Sequence, residues 1–445
     1  MRSFSVDVVL FAKRALTLIA TRFGSSILVL FYMTIFARST TPEELGLATW
    51  CLSAAVLLSI ALSLNVEAGS IRFLPAYKAA KLDSVAAAFV AFSYTVVSLM
   101  FGLICLCFIV FVISGGHKHF DVSPLIVGVM LATAFTVARA RVTGRHAAAK
   151  DMVLRGSLPT SLGRPVLMCL LFGIFFLVDL RLTLDVFLIG LMIGVALGAT
   201  VQAILVRSAL PKTASLSIYK TMWREWRATG YAFLPVLLVR DNLRDVIVIS
   251  AAIGLSAADL GLLGIAYSLF GLVYYSVKAV DISLGPRLAK ALTEGRSSQV
   301  ELYLATAAAA KITLVGIGVL ILWYSGSDLL RVFGPDYIDA HHALVLLMII
   351  PAADALFGAG YTVLNVKGQR QTVLFLALFS VCLIFCATAF AGSMYQLETA
   401  VVAAGCAYAF QQWLICRSSI RTAGVDPSAM SLVRAVRSHR HSNVT

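Results

Sequence analysis

Apolar residues gather into twelve segments along the chain, near 15–37, 45–66, 85–113, 122–138, 158–178, 186–206, 230–251, 260–285, 301–323, 342–364, 372–391 and 396–416. Each is close to the roughly 20 residues that a helix needs to cross a bilayer. The third is long enough to tilt or break. Polar turns carrying Gly or Pro separate the segments, as in Ser39-Thr40-Thr41-Pro42, Ser114-Gly115-Gly116 and Gly334-Pro335-Asp336. The pattern predicts an all-α membrane protein of about twelve transmembrane helices.

Composition sharpens this picture. Of 445 residues, 60% are hydrophobic and 13% charged, against roughly 45–50% and 25% in a soluble domain. Little chain is left for a soluble catalytic domain or a nucleic-acid reader. No Gly-rich phosphate loop, nucleophile elbow or pair of catalytic carboxylates occurs, so an enzyme and an ATPase are not expected. The eight cysteines (Cys51, Cys105, Cys107, Cys169, Cys382, Cys386, Cys406 and Cys416) sit in apolar runs and read as small hydrophobes. His117, His119, His341 and His342 fall in predicted outer loops and lack metal-site spacing. No metal and no cofactor is expected. Lys13 and Arg14 precede a long apolar stretch without a cleavage site, so the first helix is expected to stay in the membrane.

The net charge of +14 is explained by where the basic residues fall. With the N-terminus placed inside, 26 of the 36 Lys and Arg lie on the cytoplasmic side, Arg139, Arg141 and Arg145 among them, and 4 (Arg38, Lys118, Arg181 and Arg331) lie outside. This bias predicts a membrane protein with both termini cytoplasmic. Trp50, Trp323 and Trp413 fit an aromatic belt. Lys220, Trp223, Arg224, Trp226 and Arg227 suggest an interfacial helix.

A weak internal repeat links helices six apart. Leu45-Gly46-Leu47 follows Pro42-Glu43-Glu44, and Leu260-Gly261-Leu262 follows Ala257-Ala258-Asp259. Val142-Thr143-Gly144-Arg145 is echoed by Val366-Lys367-Gly368-Gln369. Two parallel six-helix lobes follow, with a transport site expected between them. The expected boundaries are 1–206 and 230–416 for the lobes, 207–229 for a connector and 417–445 for a basic cytoplasmic tail.

With these motifs, the chain resembles the bacterial polysaccharide flippases (Wzx-type). They belong to the multidrug/oligosaccharidyl-lipid/polysaccharide exporter superfamily. The resemblance rests on Thr41-Pro42-Glu43-Glu44-Leu45-Gly46, Ser256-Ala257-Ala258-Asp259-Leu260-Gly261, Leu329-Leu330-Arg331-Val332-Phe333-Gly334-Pro335-Asp336-Tyr337 and Gly368-Gln369-Arg370. It implies two six-helix pseudo-repeat lobes around a central, cationic cavity. It also implies transport of a polyprenyl-pyrophosphate-linked oligosaccharide by alternating access. The pathway would be exopolysaccharide, O-antigen or capsule synthesis, and a polysaccharide polymerase and export machinery would be the partners. The coupling ion stays open.

Six basic residues fall inside predicted spans: Arg22, Arg164, Arg240, Arg244, Lys278 and Lys311. A charge in the bilayer is costly and faces a partner or a water-filled cavity. In helix 7, Arg240, Asp241, Arg244 and Asp245 fall at about 0°, 100°, 40° and 140° on an unbroken helix, on one face. Counted from Gly230, they lie about 15 to 22 Å deep. Either they lock the helix to a neighbour, or the two arginines bind phosphate through their bidentate donors. Arg22, about 10 Å inside the first helix, Arg164 beside Pro165, and Lys311 are further cavity candidates. Asp241, Asp245 and Asp354 are candidates for ion coupling. Asp354 follows Pro351, which should kink its helix; it could carry a coupling proton, cap the broken helix or pair with a basic neighbour. Lys278 and Asp281 read as a paired snorkel. A cation antiporter should instead offer carboxylates and aromatics, and a membrane-embedded polymerase should offer a large outer loop.

Overall fold

The structure, a computed structural model, describes residues 21, 23–114, 123–178, 182–209, 216–394 and 396–434. These form helices and turns, with no strand among the described residues. In chain order the helices are α1 (Phe23–Ser39), α2 (Pro42–Ser63), α3 (Ser70–Ala79), α4 (Asp83–Ile113), α5 (Pro124–Ala148), α6 (Val153–Leu177), α7 (Leu184–Val206) and α8 (Leu216–Asp241). They continue with α9 (Leu243–Ala251), α10 (Ala257–Thr293), α11 (Ser297–Arg331), α12 (His341–Leu346), α13 (Ile349–Phe357), α14 (Gly360–Val366), α15 (Arg370–Met394) and α16 (Leu397–Ala423).

Ten segments are long and apolar enough to cross a membrane, with Pro335–Phe357 counting as one, and the shorter apolar α1 adds another. The polar seventh span is built from α8 and α9. The protein is thus a multi-pass membrane protein with around twelve spans. α4 runs its 31 residues unbroken.

Several helix starts were legible in the sequence. Thr41 caps α2 by accepting from the Glu44 amide, with Pro42 at the first position. Ser256 caps α10 by accepting from the Asp259 amide at 3.1 Å. The first pair of repeated motifs therefore has a local physical cause: a hydroxyl cap, two residues, and a carboxylate. The second pair diverges. Gly144 lies within α5, whereas Gly368, with φ +74°, follows the end of α14.

The chain sorts into two compact units that divide within the seventh span, Ile27–Asp245 and the segment from Val246 onward. In the first, α5 packs against α2, α6 and α7. Small residues let α6 and α7 approach closely: a Cβ on Gly198 would lie 2.7 Å from the Pro159 carbonyl oxygen, and one on Gly163 would lie 3.3 Å from Gly198. α2 ends in Leu64 and Asn65, both in the left-handed region (φ +47° and +54°), so the chain turns sharply into a short 3₁₀ segment, Val66–Gly69. Gly230 of α8 sits on that turn, where a Cβ would come within 2.8 Å of the Leu64 carbonyl oxygen.

Lys220 to Arg227 belong to α8, which runs without a break to Asp241, and Trp226 is fully buried. It packs with Val66, Phe73, Phe89 and Phe92, and its indole N–H donates to the Tyr77 hydroxyl at 2.9 Å. The hydroxyl satisfies the one polar atom of a large apolar ring, so the ring is more stable inside than at a headgroup boundary.

In the second unit, α10 packs on α11, and α16 packs on α13, α14 and α15. The tenth predicted span, near 342–364, is broken twice, into α12, α13 and α14. The first break, at Leu347 and Met348, lies one turn before Pro351, whose ring would clash with the carbonyl four residues earlier. The second is at Gly358, with φ +72° and ψ −153°, a conformation open to glycine. Residues 424–434 fold back on this break: the Ala429 amide donates to the Leu356 carbonyl at 2.8 Å.

Candidate functional site

Two clusters of charge lie within the spans, one in each unit. The first gathers around the start of the seventh span's second half. The expected continuous helix is corrected: α8 ends at Asp241, Asn242 is non-helical, and α9 begins at Leu243. Asn242 is buried and its amide donates back to the Leu237 carbonyl at 3.0 Å, a local hydrogen bond that competes with helix continuation. The single face carrying 240, 241, 244 and 245 is therefore lost. Arg240 and Asp241 are exposed, whereas Arg244 and Asp245 are partly buried.

Asp245 lies near the buried Ser53 hydroxyl and within electrostatic range of Arg244, Arg164 and Arg141. These groups come from α2, α5, α6 and α9. Arg164 is placed by the close α6–α7 contact, where Gly194 faces its backbone. Nearby, Arg145 pairs with Asp241 at 3.8 Å, and Arg141 pairs with Glu67 at 3.5 Å. Glu67 is 1% exposed and also accepts from the Ser63 hydroxyl at 3.2 Å. Four arginines (Arg141, Arg145, Arg164, Arg244) thus face three carboxylates (Glu67, Asp241, Asp245), leaving a net positive charge before Arg240 is added.

Glu67, Arg141 and Arg145 are not legible as site residues from hydropathy. Arg139, Arg141 and Arg145 are placed in a cytoplasmic segment by the sequence pattern, yet all lie inside α5. The apolar run that defines a span ends before the helix does, because the last turns are buried against other helices. Arg22 lies outside the described residues.

The second cluster joins α10, α11, α13 and α16. Lys278 pairs with Asp354 at 2.9 Å, and Lys311 pairs with Asp281 at 2.6 Å. Lys311 and Asp354 are 2% and 3% exposed. The Tyr408 hydroxyl donates to Asp354 at 2.8 Å, and the Gln412 amide donates to both Asp354 and the Tyr408 oxygen. The Lys278 ammonium also lies 5.0 Å from the Tyr274 ring centroid. For Asp354 the structure takes the alternative of a basic neighbour, Lys278. One expectation is corrected. Lys278 and Asp281, three apart on α10, each take an ion-pair partner on another helix. Both side chains point at packed neighbours, and pairing across helices satisfies them where a path to the headgroups would not.

No protein-family model matches the chain, and no curated protein matches it by sequence. Solved structures do match. A lipid II flippase, MurJ, in an inward closed conformation superposes with a TM-score of 0.68 at 13% identity, covering 95% of this chain and 91% of that one. An inward-facing multidrug resistance MATE family transporter of the MOP superfamily gives 0.64 at 14% identity, covering 95% and 99%. The MATE multidrug transporter DinF-BH gives 0.58 at 14% identity, covering 92% and 95%. At such identities the likeness speaks for the fold, and the chain has the fold shared by these transporters and flippases.

Proposed function

We propose that the protein is a flippase that carries a polyprenyl-pyrophosphate-linked oligosaccharide across the bacterial inner membrane by alternating access. The observation that carries this reading is the arginine excess around Asp245 in the first unit. Arginine presents planar paired donors that match phosphate oxygens, and a recessed site strengthens each contact. In the absence of cargo, Asp245 offsets part of the charge of Arg164 and Arg244. An arriving pyrophosphate displaces Asp245 from them. The released carboxylate then becomes a proton acceptor, which couples cargo binding to ion exchange at Asp245, with Asp241 in support. Asp354 has less scope for that role, because Lys278, Tyr408 and Gln412 already compensate its charge.

The likeness to both MATE transporters and a lipid II flippase leaves cargo chemistry to the residues. A site for organic cations calls for unpaired carboxylates and aromatic faces. Here Glu67, Asp241, Asp281 and Asp354 each pair with an Arg or Lys. Both termini face the cytoplasm in this reading, and a polymerase and export machinery act downstream.

The test is binding by the purified, reconstituted protein. It should bind a polyprenyl-pyrophosphate oligosaccharide more tightly than the same sugar lacking the lipid phosphate, and salt should weaken the binding. Preferred binding of ethidium or a cationic rhodamine dye would replace this reading with a drug antiporter.

A further inference from the structure

The first unit contains a second cationic feature that the proposed transport site does not use. A cavity of about 790 Å³ opens between α4, α5 and α7, with Tyr94, Phe135, Arg139 and Arg207 in its lining. Its arginines differ from those of the Asp245 cluster. Arg139 and Arg141 are two residues apart on α5 and so point about 200° apart. Arg141 turns inward to Glu67, while Arg139 is exposed on the opposite face.

Among the described residues, no ion pair engages Arg139 or Arg207. Arg139 is held instead by aromatic faces, 5.3 Å from the Tyr94 centroid and 5.6 Å from that of Phe135. The Tyr94 hydroxyl is fixed in turn by Thr143 at 2.7 Å. This arrangement orients the guanidinium while leaving its donors for an anion. Thr136 and Thr200, also in the lining, donate to their own helices, at the Ala132 and Ala196 carbonyls. Their oxygens remain as acceptors for a ligand hydroxyl or amine.

The cavity opens beside an apolar outward face. Ile204, which lines the cavity, is 68% exposed, and it continues a row with Ile193, Leu197 and Val201 on α7. An anion-binding end bordered by an apolar face of a membrane-spanning helix fits an amphiphile.

We infer that this cavity is a peripheral binding site for the phosphate-bearing headgroup of a membrane lipid, whose chains lie along the outer face of α7. Arg139 and Arg207 hold the phosphate, and the threonine oxygens receive the donors of the headgroup. The small side chains of Ala196, Ala199 and Ala203 leave room for it. The phosphate could belong to a bulk phospholipid or to a polyprenyl pyrophosphate. The site stands whether or not the chain transports the latter.

The experiment is native mass spectrometry of the intact protein with phosphatidylglycerol, using diacylglycerol of the same chains as the phosphate-free comparator. The wild type should retain phosphatidylglycerol preferentially. Arg139→Gln with Arg207→Gln should weaken retention about 30-fold, on the scale of two basic residues at a lipid surface. Ala203→Phe, which changes no charge, should fill the cavity and weaken retention as well. Arg417→Gln with Arg421→Gln, the same charge change in the second unit, should leave it unchanged. Competition by polyprenyl pyrophosphate, measured also in Arg164→Gln, identifies that lipid as the occupant if it displaces phosphatidylglycerol equally in both proteins. If it fails to displace, the bulk phospholipid is the occupant. Retention within twofold of wild type in either cavity variant, an equal loss in the Arg417/Arg421 control, or no preference over diacylglycerol would overturn the site.

Discussion

The two buried clusters use the same kinds of residue to opposite ends. In the second unit, Lys278, Asp281, Lys311 and Asp354 form a closed set, two cations with two carboxylates, and Tyr408 and Gln412 add hydrogen bonds to Asp354. In the first unit, the arginines outnumber the carboxylates, Arg240 and Asp241 are exposed, and one carboxylate, Asp245, lies within electrostatic range of three arginines. A neutral, fully partnered network resists change, because removing any member strands a charge in low dielectric. In the proposed function, a cationic cluster around one carboxylate exchanges that carboxylate for the anion of the cargo.

The comparison breaks most readily in the closed network. Lys278→Met should leave Asp354 uncompensated and cost about 3–5 kcal/mol, seen as lost monodisperse protein in detergent. Lys278→Met with Asp354→Leu should recover most of the folded yield. A single variant as stable as wild type would mean that the network is no lock. Next in size, Arg164→Gln or Arg244→Gln should lower binding of the pyrophosphate-linked oligosaccharide by about tenfold or more, the value of a charge-assisted contact, at unchanged protein level. Lysine at either position should restore binding only in part, since it lacks the paired donors. Should both glutamine variants bind normally, the arginine excess has another purpose.

Smaller effects sharpen the same contrast. If the first unit is held by packing more than by charge, Trp226→Phe should cost about 1 kcal/mol through loss of the Tyr77 hydrogen bond, read as a drop in melting temperature with binding intact. The smallest effect concerns the segment after α16. Burial disfavours the charge on Asp426, yet hydrogen bonds from Arg434 at 2.5 Å and from Ser428 at 3.0 Å hold its carboxyl below the usual carboxylate range. A lowered folded-state pKa gives stability that is full above the unfolded value, about 3.9, and is lost as pH falls through the folded one. Docking of residues 424–434 should thus hold at neutral pH and loosen in strong acid, and hydrogen exchange at Ala429 would follow it. Asp426→Asn should raise that exchange at neutral pH and remove the acid dependence. An unchanged profile would show that Gly358 and Leu356 hold the segment alone.

How much of this was readable in advance follows from the range of each force. The spans were legible because a bilayer demands a long apolar run whatever lies beside it, and helix starts at Thr41 and Ser256 because a cap is satisfied within four residues. Arg164, Arg244, Lys278, Lys311, Asp245 and Asp354 were visible as charges in apolar runs. Their partners were not. Helical spacing paired Lys278 with Asp281, while the fold pairs them with Asp354 and Lys311, since an ion pair forms with whichever charge packing brings close. Glu67, Arg141 and Arg145 stood at span ends, where a sequence cannot tell a solvated end from one buried against another helix. The break at Asn242 hung on one side-chain amide turning back to a carbonyl. Local pattern and hydrophobic length are enough to specify an all-helical membrane chain with arginine inside its spans. Which charges cancel and which remain in excess was settled by packing, because it depends on contacts between helices far apart in the chain.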